Sequence, residues 1–246
     1  MNSPPPDGEN KNAGLLMTGS VRMDELEGGY GVVIFGDPER KANTITATVA
    51  AGLSQAFAVA RSKPWKGMIL QSGKPGQFSP GADLGELLTL SAGPPDLALD
   101  YLDEVRSAMS ALATLPFPTA AVIDGPCLGG GFELALSCDD RIASNDPKTI
   151  LGLPETKIGL IPGYGGTQRL PRRTELEFAA HAIARGETLN PTVAKLYQAV
   201  SAVAPAADLQ TIARNHLARL HATGGWEAAR SLVQSAPTLR IDWEVP

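Results

Sequence analysis

Asp124-Gly125-Pro126-Cys127-Leu128-Gly129-Gly130-Gly131-Phe132-Glu133-Leu134 is the stretch on which the reading of this chain turns. It follows Thr119-Ala120-Ala121-Val122-Ile123, a short apolar run of strand type, and a helix is expected from about Gly130 to Cys138. The stretch therefore reads as strand, glycine turn, helix. Small residues let a ligand approach the backbone, and the first N–H groups of a helix have no partner inside it. Glu133 falls in the first helical turn, where a carboxylate complements the helix dipole and can cap, so a structural role alone would account for it.

A second turn of the same kind lies upstream. The strand Lys66-Gly67-Met68-Ile69-Leu70-Gln71-Ser72 is closed by Gly73-Lys74-Pro75-Gly76, and Phe78-Ser79-Pro80-Gly81-Ala82-Asp83-Leu84 then enters a short helix through Leu88. Two N–H donors aimed at one point would hold a carbonyl oxygen as it becomes an oxyanion. Taken alone, each turn reads as a tight strand-to-helix connection. Neither is a dinucleotide-binding GxGxxG or a phosphate-binding P-loop, and no GxSxG nucleophile elbow occurs. Glu155, just after Pro154, reads either as a solvated loop residue or as a second carboxylate for the site.

Outward from these turns, strands and helices alternate. Gly31-Val32-Val33-Ile34-Phe35 is a strand, and Thr46 to Arg61 a helix with Val49, Leu53, Phe57 and Ala60 at helical spacing. A long helix runs from Asp96, with Leu102, Val105, Met109 and Leu112 as its buried face, and Arg141-Ile142-Ala143 begins a further strand. This order predicts an α/β layered fold. After Arg173 the chain turns mainly helical, over Thr174 to Arg185 and Asp208 to Ala222, with Asn190 as cap and Pro191 at a first helical position. The expected division is a disordered tail over 1–19, a core over 20–185 and a helical C-terminal region over 186–246.

Bulk properties exclude several classes. A net charge of −5 argues against general nucleic-acid binding, which needs a basic surface. No apolar run reaches the length of a membrane span, and Met1 to Gly14 lacks the apolar segment of a signal peptide. Two cysteines, Cys127 and Cys138, without CxxC spacing suit a reducing, cytoplasmic setting. His181, His216 and His221 show no ligand spacing, so no metal site is expected. Arg169, Arg172 and Arg173 form the densest basic spot, open to a phosphate, an ion pair or a subunit contact.

Three ordered motifs resemble the enoyl-CoA hydratase (crotonase) superfamily: Phe78 to Asp83, Gly125 to Ala135, and Gly152-Leu153-Pro154-Glu155 on through Arg172. Asn43-Thr44-Ile45, the Asp146-Pro147-Lys148-Thr149 turn and Leu151 to Glu155 are most similar to the hydratase module of multifunctional fatty-acid oxidation enzymes. The resemblance implies a crotonase-like spiral of ββα units with a helical C-terminal region, arranged as a homotrimer or a hexamer of two trimers. It implies Ala82 and Gly130 as oxyanion-hole donors, and Glu133 and Glu155 as the catalytic carboxylates. Ala42, Ala82, Asp83, Leu84 and Gly130 would line the substrate site. The substrate would be an acyl-CoA thioester, with coenzyme A part of the substrate and no separate cofactor. Hydration of a 2-trans-enoyl-CoA is the expected reaction. Isomerisation of a 3-enoyl-CoA, another thioester reaction of the fold, and acyl-CoA binding without catalysis are the alternatives. The chain departs from the family at Arg173-Thr174-Glu175 and from Gly224 to Pro246.

Overall fold

The computed structural model describes residues 16–235. In chain order its strands are β1 (Leu16–Met17), β2 (Val21–Leu26), β3 (Tyr30–Phe35), β4 (Gly67–Ser72), β5 (Thr119–Ile123), β6 (Cys127–Leu128), β7 (Asp140–Ser144), β8 (Leu151–Gly152), β9 (Thr188–Leu189) and β10 (Ala202–Ala204). Its α-helices are α1 (Ala47–Ala60), α2 (Leu84–Ser91), α3 (Pro95–Ala113), α4 (Gly130–Leu136), α5 (Gly166–Arg169), α6 (Leu176–Arg185), α7 (Pro191–Leu196), α8 (Leu209–Thr223) and α9 (Gly225–Ser235). Seven strands form one sheet in the order β1-β2-β3-β4-β5-β7-β10, and β6-β8-β9 form a small second one. The large sheet is antiparallel from β1 to β3 and parallel from β3 to β10.

Both faces of the parallel part are covered, which is why its strands are apolar runs without polar alternation. Successive side chains go to opposite faces. Val33, Leu70 and Ala121 are in register and enter the core that also holds Phe57 of α1 and Met109 of α3. Val32, Ile69 and Ala120, one residue earlier in each strand, meet Leu209, Ala213 and Leu217 of α8 on the other face. The chain is an α/β protein, as its sequence predicts. Among the described residues no helix is long and apolar enough to cross a membrane.

The helices start where the local chemistry allows. The Thr46 side chain accepts from the Val49 N–H at the head of α1, and the Asn190 side chain accepts from the Val193 N–H at α7 with Pro191 behind it. On α3 the buried face is Tyr101, Val105, Ala108, Met109 and Leu112. Leu102, expected there, is only partly buried and lines a cleft.

The expected divisions meet structure at both ends. Of the tail over 1–19, residues 1–15 lie outside the described residues, but Leu16 and Met17 pair with β2. Within 186–246, the stretch expected to be helical also carries β9 and β10, and β10 extends the main sheet alongside β7. Residues 236–246 lie outside the described residues.

Candidate active site

Between α2, α3, the glycine turns and the loop from Pro154 to Tyr164 lies a mostly apolar cleft of about 700 Å³. Leu84, Leu87 and Leu90 of α2 supply one wall, and Leu160, Ile161 and Pro162 the opposite one. Glu133, Glu155, Ala82 and Gly130 line the same cleft.

Glu133 is 1% exposed. Every residue of its helix α4 is buried, so the helix cannot turn the carboxylate out to water. The N–H groups of Tyr164 and Gly166 both donate to Oε1, at 2.8 and 2.7 Å. For two N–H groups two residues apart to reach one oxygen, the chain must fold back at Gly165, which sits at φ +105°. The loop is held from behind: Arg169 donates to the Tyr164 carbonyl at 2.6 Å and Arg106 to that of Gly163 at 2.7 Å. Burial pushes the Glu133 carboxyl up to about 7; the Gly166 hydrogen bond opposes this and the charge of Glu155 adds to it. Tyr164 closes the pocket floor, its hydroxyl donating to that of Tyr101 at 3.2 Å, which donates to the Ile45 carbonyl at 3.0 Å.

Glu155 stands in a 3-10 turn over Pro154–Ile158. Its Oε1 lies over Gly129, where an added Cβ would come within 3.0 Å of it. Its Oε2 is buried with no hydrogen-bond partner among the described residues. Burial raises its proton affinity, countered in part by its own backbone N–H. A buried carboxylate oxygen without a protein partner is costly unless something else meets it.

The two glycine turns come together in the fold. Ala82 forms an isolated parallel bridge with Ile45 in which Ile45 donates to the Gly81 carbonyl and Asp83 donates to Ile45. The bonds thus use the residues flanking Ala82, and its own N–H faces the other way. Gly130 is the first residue of α4 and has no helical acceptor. Neither N–H donates to a protein acceptor among the described residues. They are neighbours: a Cβ on Gly81 would lie 3.3 Å from the Gly130 nitrogen, and one on Gly130 3.6 Å from that of Ala82. The bridge from Ser79 to Cys127 clamps the two turns, and Gly131 packs on Ser79 so closely that a Cβ there would fall 2.6 Å from its carbonyl oxygen.

Five of the sequence-predicted residues, Ala82, Leu84, Gly130, Glu133 and Glu155, are brought to this cleft. Ala42 and Asp83 are not among the residues lining it. Asp83 instead caps α2, accepting from the Glu86 N–H at 3.0 Å, and pairs with Arg40 at 2.6 Å. Sequence reasoning missed Tyr164 and Gly166, whose backbone N–H groups hold Glu133. Only their place in a Gly-Tyr-Gly-Gly turn marked them, and a turn does not announce what its amides point at. Cys127 and Cys138 are free and buried, as packing residues are.

The enoyl-CoA hydratase/isomerase family model matches residues 25–236, and the chain belongs to that family. Within it, the fatty acid oxidation complex subunit alpha of Aliivibrio fischeri is 41% identical over 178 residues, covering 72% of this chain and 26% of that protein. The corresponding subunit of Vibrio cholerae is 42% identical over 182 residues, 73% of this chain and 25% of the relative. The chain therefore spans about a quarter of the length of these relatives. Among solved structures, an enoyl-CoA hydratase from Bacillus anthracis superposes with a TM-score of 0.75 at 30% identity, over 87% of this chain and 81% of the other. An enoyl-CoA hydratase/carnitine racemase from Magnetospirillum magneticum gives 0.77 at 26% identity, over 89% and 80%.

Proposed function

We propose that this chain adds water across the 2-trans double bond of an enoyl-CoA thioester. The observation that carries the reading is one cleft holding two carboxylates of raised proton affinity beside two adjacent, unclaimed backbone N–H groups. The thioester oxygen accepts from the Ala82 and Gly130 N–H groups, which stabilise the enolate-like charge formed when a nucleophile attacks C3. Glu133 holds a water and takes its proton as the oxygen bonds to C3, and Glu155, carrying its own proton, delivers it to C2. The net addition is one water, and the proton gained by Glu133 returns to Glu155 before the next turnover. Coenzyme A enters as part of the substrate. The trimeric or hexameric assembly implied by the family resemblance belongs to the same reading, and sedimentation of the purified chain checks it.

Glu133→Gln and Glu155→Gln are expected each to abolish most of the loss of enoyl-thioester absorbance with crotonyl-CoA, by about 100-fold or more in kcat. Parent rates in both variants would remove the proposed roles. A second reading, isomerisation of 3-enoyl-CoA to 2-enoyl-CoA, is favoured by the unpartnered Glu155 Oε2, since one free base suffices to move a proton along the acyl chain. Product analysis with a 3-enoyl-CoA separates the two: a 2-enoyl product without hydrated product favours the isomerase. Calorimetric binding of acyl-CoA with no turnover at any chain length would favour a binding protein.

A further inference from the structure

A second pocket, of about 420 Å³ and sharing no lining residue with the cleft, is walled by Arg141, Arg172, Arg173 and Lys195, with Gln198 and Ser201 between them. No carboxylate lines it. This is not an overflow of positive charge, because the chain as a whole is acidic at −5. None of the four cations forms an ion pair among the described residues.

The acids nearest in sequence are occupied elsewhere. Asp139 is held by Arg230 at 2.6 Å and by the Thr119 N–H at 2.8 Å. Asp140 faces His216 at 2.7 Å and accepts from the Arg141 backbone N–H at 2.8 Å. Arg141 itself is 4% exposed. Its Nε donates to the Ala199 carbonyl at 2.7 Å and its Nη1 to that of Cys138 at 2.9 Å, while Nη2 has no protein partner among the described residues. Arg141 lines the pocket, and a buried guanidinium with two nitrogens anchored on carbonyls and the third without a protein partner is a fixed fork for an anion. Arg173 reaches only carbonyl oxygens, at 3.4 Å. Burial, and then the like charge of Arg141, push it down to about 10. An anion between the two would offset their mutual repulsion.

We propose that this pocket binds a phosphate-bearing small molecule of the diphosphate class, gripped by the Arg141 and Arg173 guanidinium groups with Arg172 and Lys195 at its rim. Four cations with no carboxylate in ion-pair contact among the described residues suit a polyanion better than a single carboxylate, and guanidinium forks match phosphate oxygens in pairs. The pocket does not depend on the proposed hydration, so the two stand or fall separately.

The test is titration calorimetry of the full chain with inorganic pyrophosphate in a low-salt chloride buffer. One saturable site is expected, weakening steeply as chloride rises. Arg172→Ala and Lys195→Ala, at the rim where folding is not at stake, are each expected to weaken binding about tenfold. Lys195→Arg is expected to keep it, and crotonyl-CoA hydration by Lys195→Ala to stay at the parent rate. No saturable heat at millimolar pyrophosphate would overturn the proposal. So would binding that Arg172→Ala and Lys195→Ala leave unchanged, which would place the anion elsewhere.

Discussion

Glu133 accepts two backbone hydrogen bonds, yet it keeps its proton better than an exposed glutamate does, because burial outweighs both. Its carboxyl titrates at about 7 in the fold against 4.5 for an ordinary glutamate. Between those values the folded chain holds more protons than the unfolded one, so stability falls as pH rises through that window. The full penalty, of order 3 kcal/mol, is present above pH 7 and absent below pH 4.5. Glu133→Gln keeps the acceptor oxygen and removes the charge. It is expected to stabilise the chain at pH 8 by about 1–3 kcal/mol in urea unfolding, with little change at pH 4, while activity is lost. A destabilised variant at pH 8 would show that the carboxylate is not strained there. The same group sets the acid limb of kcat/KM, expected at an apparent pKa of about 7 for the coupled pair. The working form of the pair carries one proton between the two carboxyls, and because an ionised Glu155 lifts the Glu133 value, Glu155→Gln is expected to move the limb of its residual activity to lower pH.

The turn from β5 through β6 into α4 is the element on which the cleft depends, and Gly131 is its tightest point. An added methyl at Gly131 meets both the Cβ and the carbonyl oxygen of Ser79 at 2.6 Å. Gly131→Ala is expected to part the two glycine turns, destabilising by about 2–3 kcal/mol and separating the Ala82 and Gly130 N–H groups. A thermal melt checks the first effect. A fall in kcat of about 100-fold with crotonyl-CoA checks the second. At this scale the sequence was most readable where periodicity is long or burial is two-sided. Val32 to Phe35, Met68 to Leu70 and Thr119 to Ile123 are apolar because both faces are covered, and α1 follows its apolar spacing throughout. β6, β8, β9 and β10 are two or three residues long, too short for any period. β2 alternates Val21, Arg22, Met23, but Asp24 and Leu26 are only partly covered and Glu25 is exposed, which blurs the pattern.

Across the whole molecule, Arg230 ties α9 to the segments that lead into β5 and β7. Arg230 donates from Nε and Nη2 to the two oxygens of Asp139, each at 2.6 Å, and from Nη1 to the Leu115 carbonyl at 2.6 Å. Trp226, one turn earlier, lies under the guanidinium at 4.6 Å. This joins positions 91 residues apart. Arg230→Ala leaves the Asp139 charge buried and without its bidentate partner. It is expected to cost about 3 kcal/mol and to speed hydrogen exchange in α9. The pair Arg230→Met with Asp139→Asn is expected to recover much of that loss, since no lone charge remains. Urea unfolding of the single and double variants measures the coupling, and additive losses would mean that the ion pair does not hold the helix.

By itself the sequence determined the alternation of strands and helices and the two glycine turns, whereas the two glutamates were marked by the resemblance of three motifs to a known family. Those are local: spacing, small side chains and helix starts are written in neighbouring residues. It could not say that Tyr164 and Gly166 would hold Glu133 by their backbone, that Asp83 would be spent on capping, or that Arg141 would line a pocket while Asp139 and Asp140 pair with Arg230 and His216. Each of these depends on which distant segments meet. Backbone amides are alike in every residue, so only the tertiary structure decides which of them are satisfied and which face a cleft.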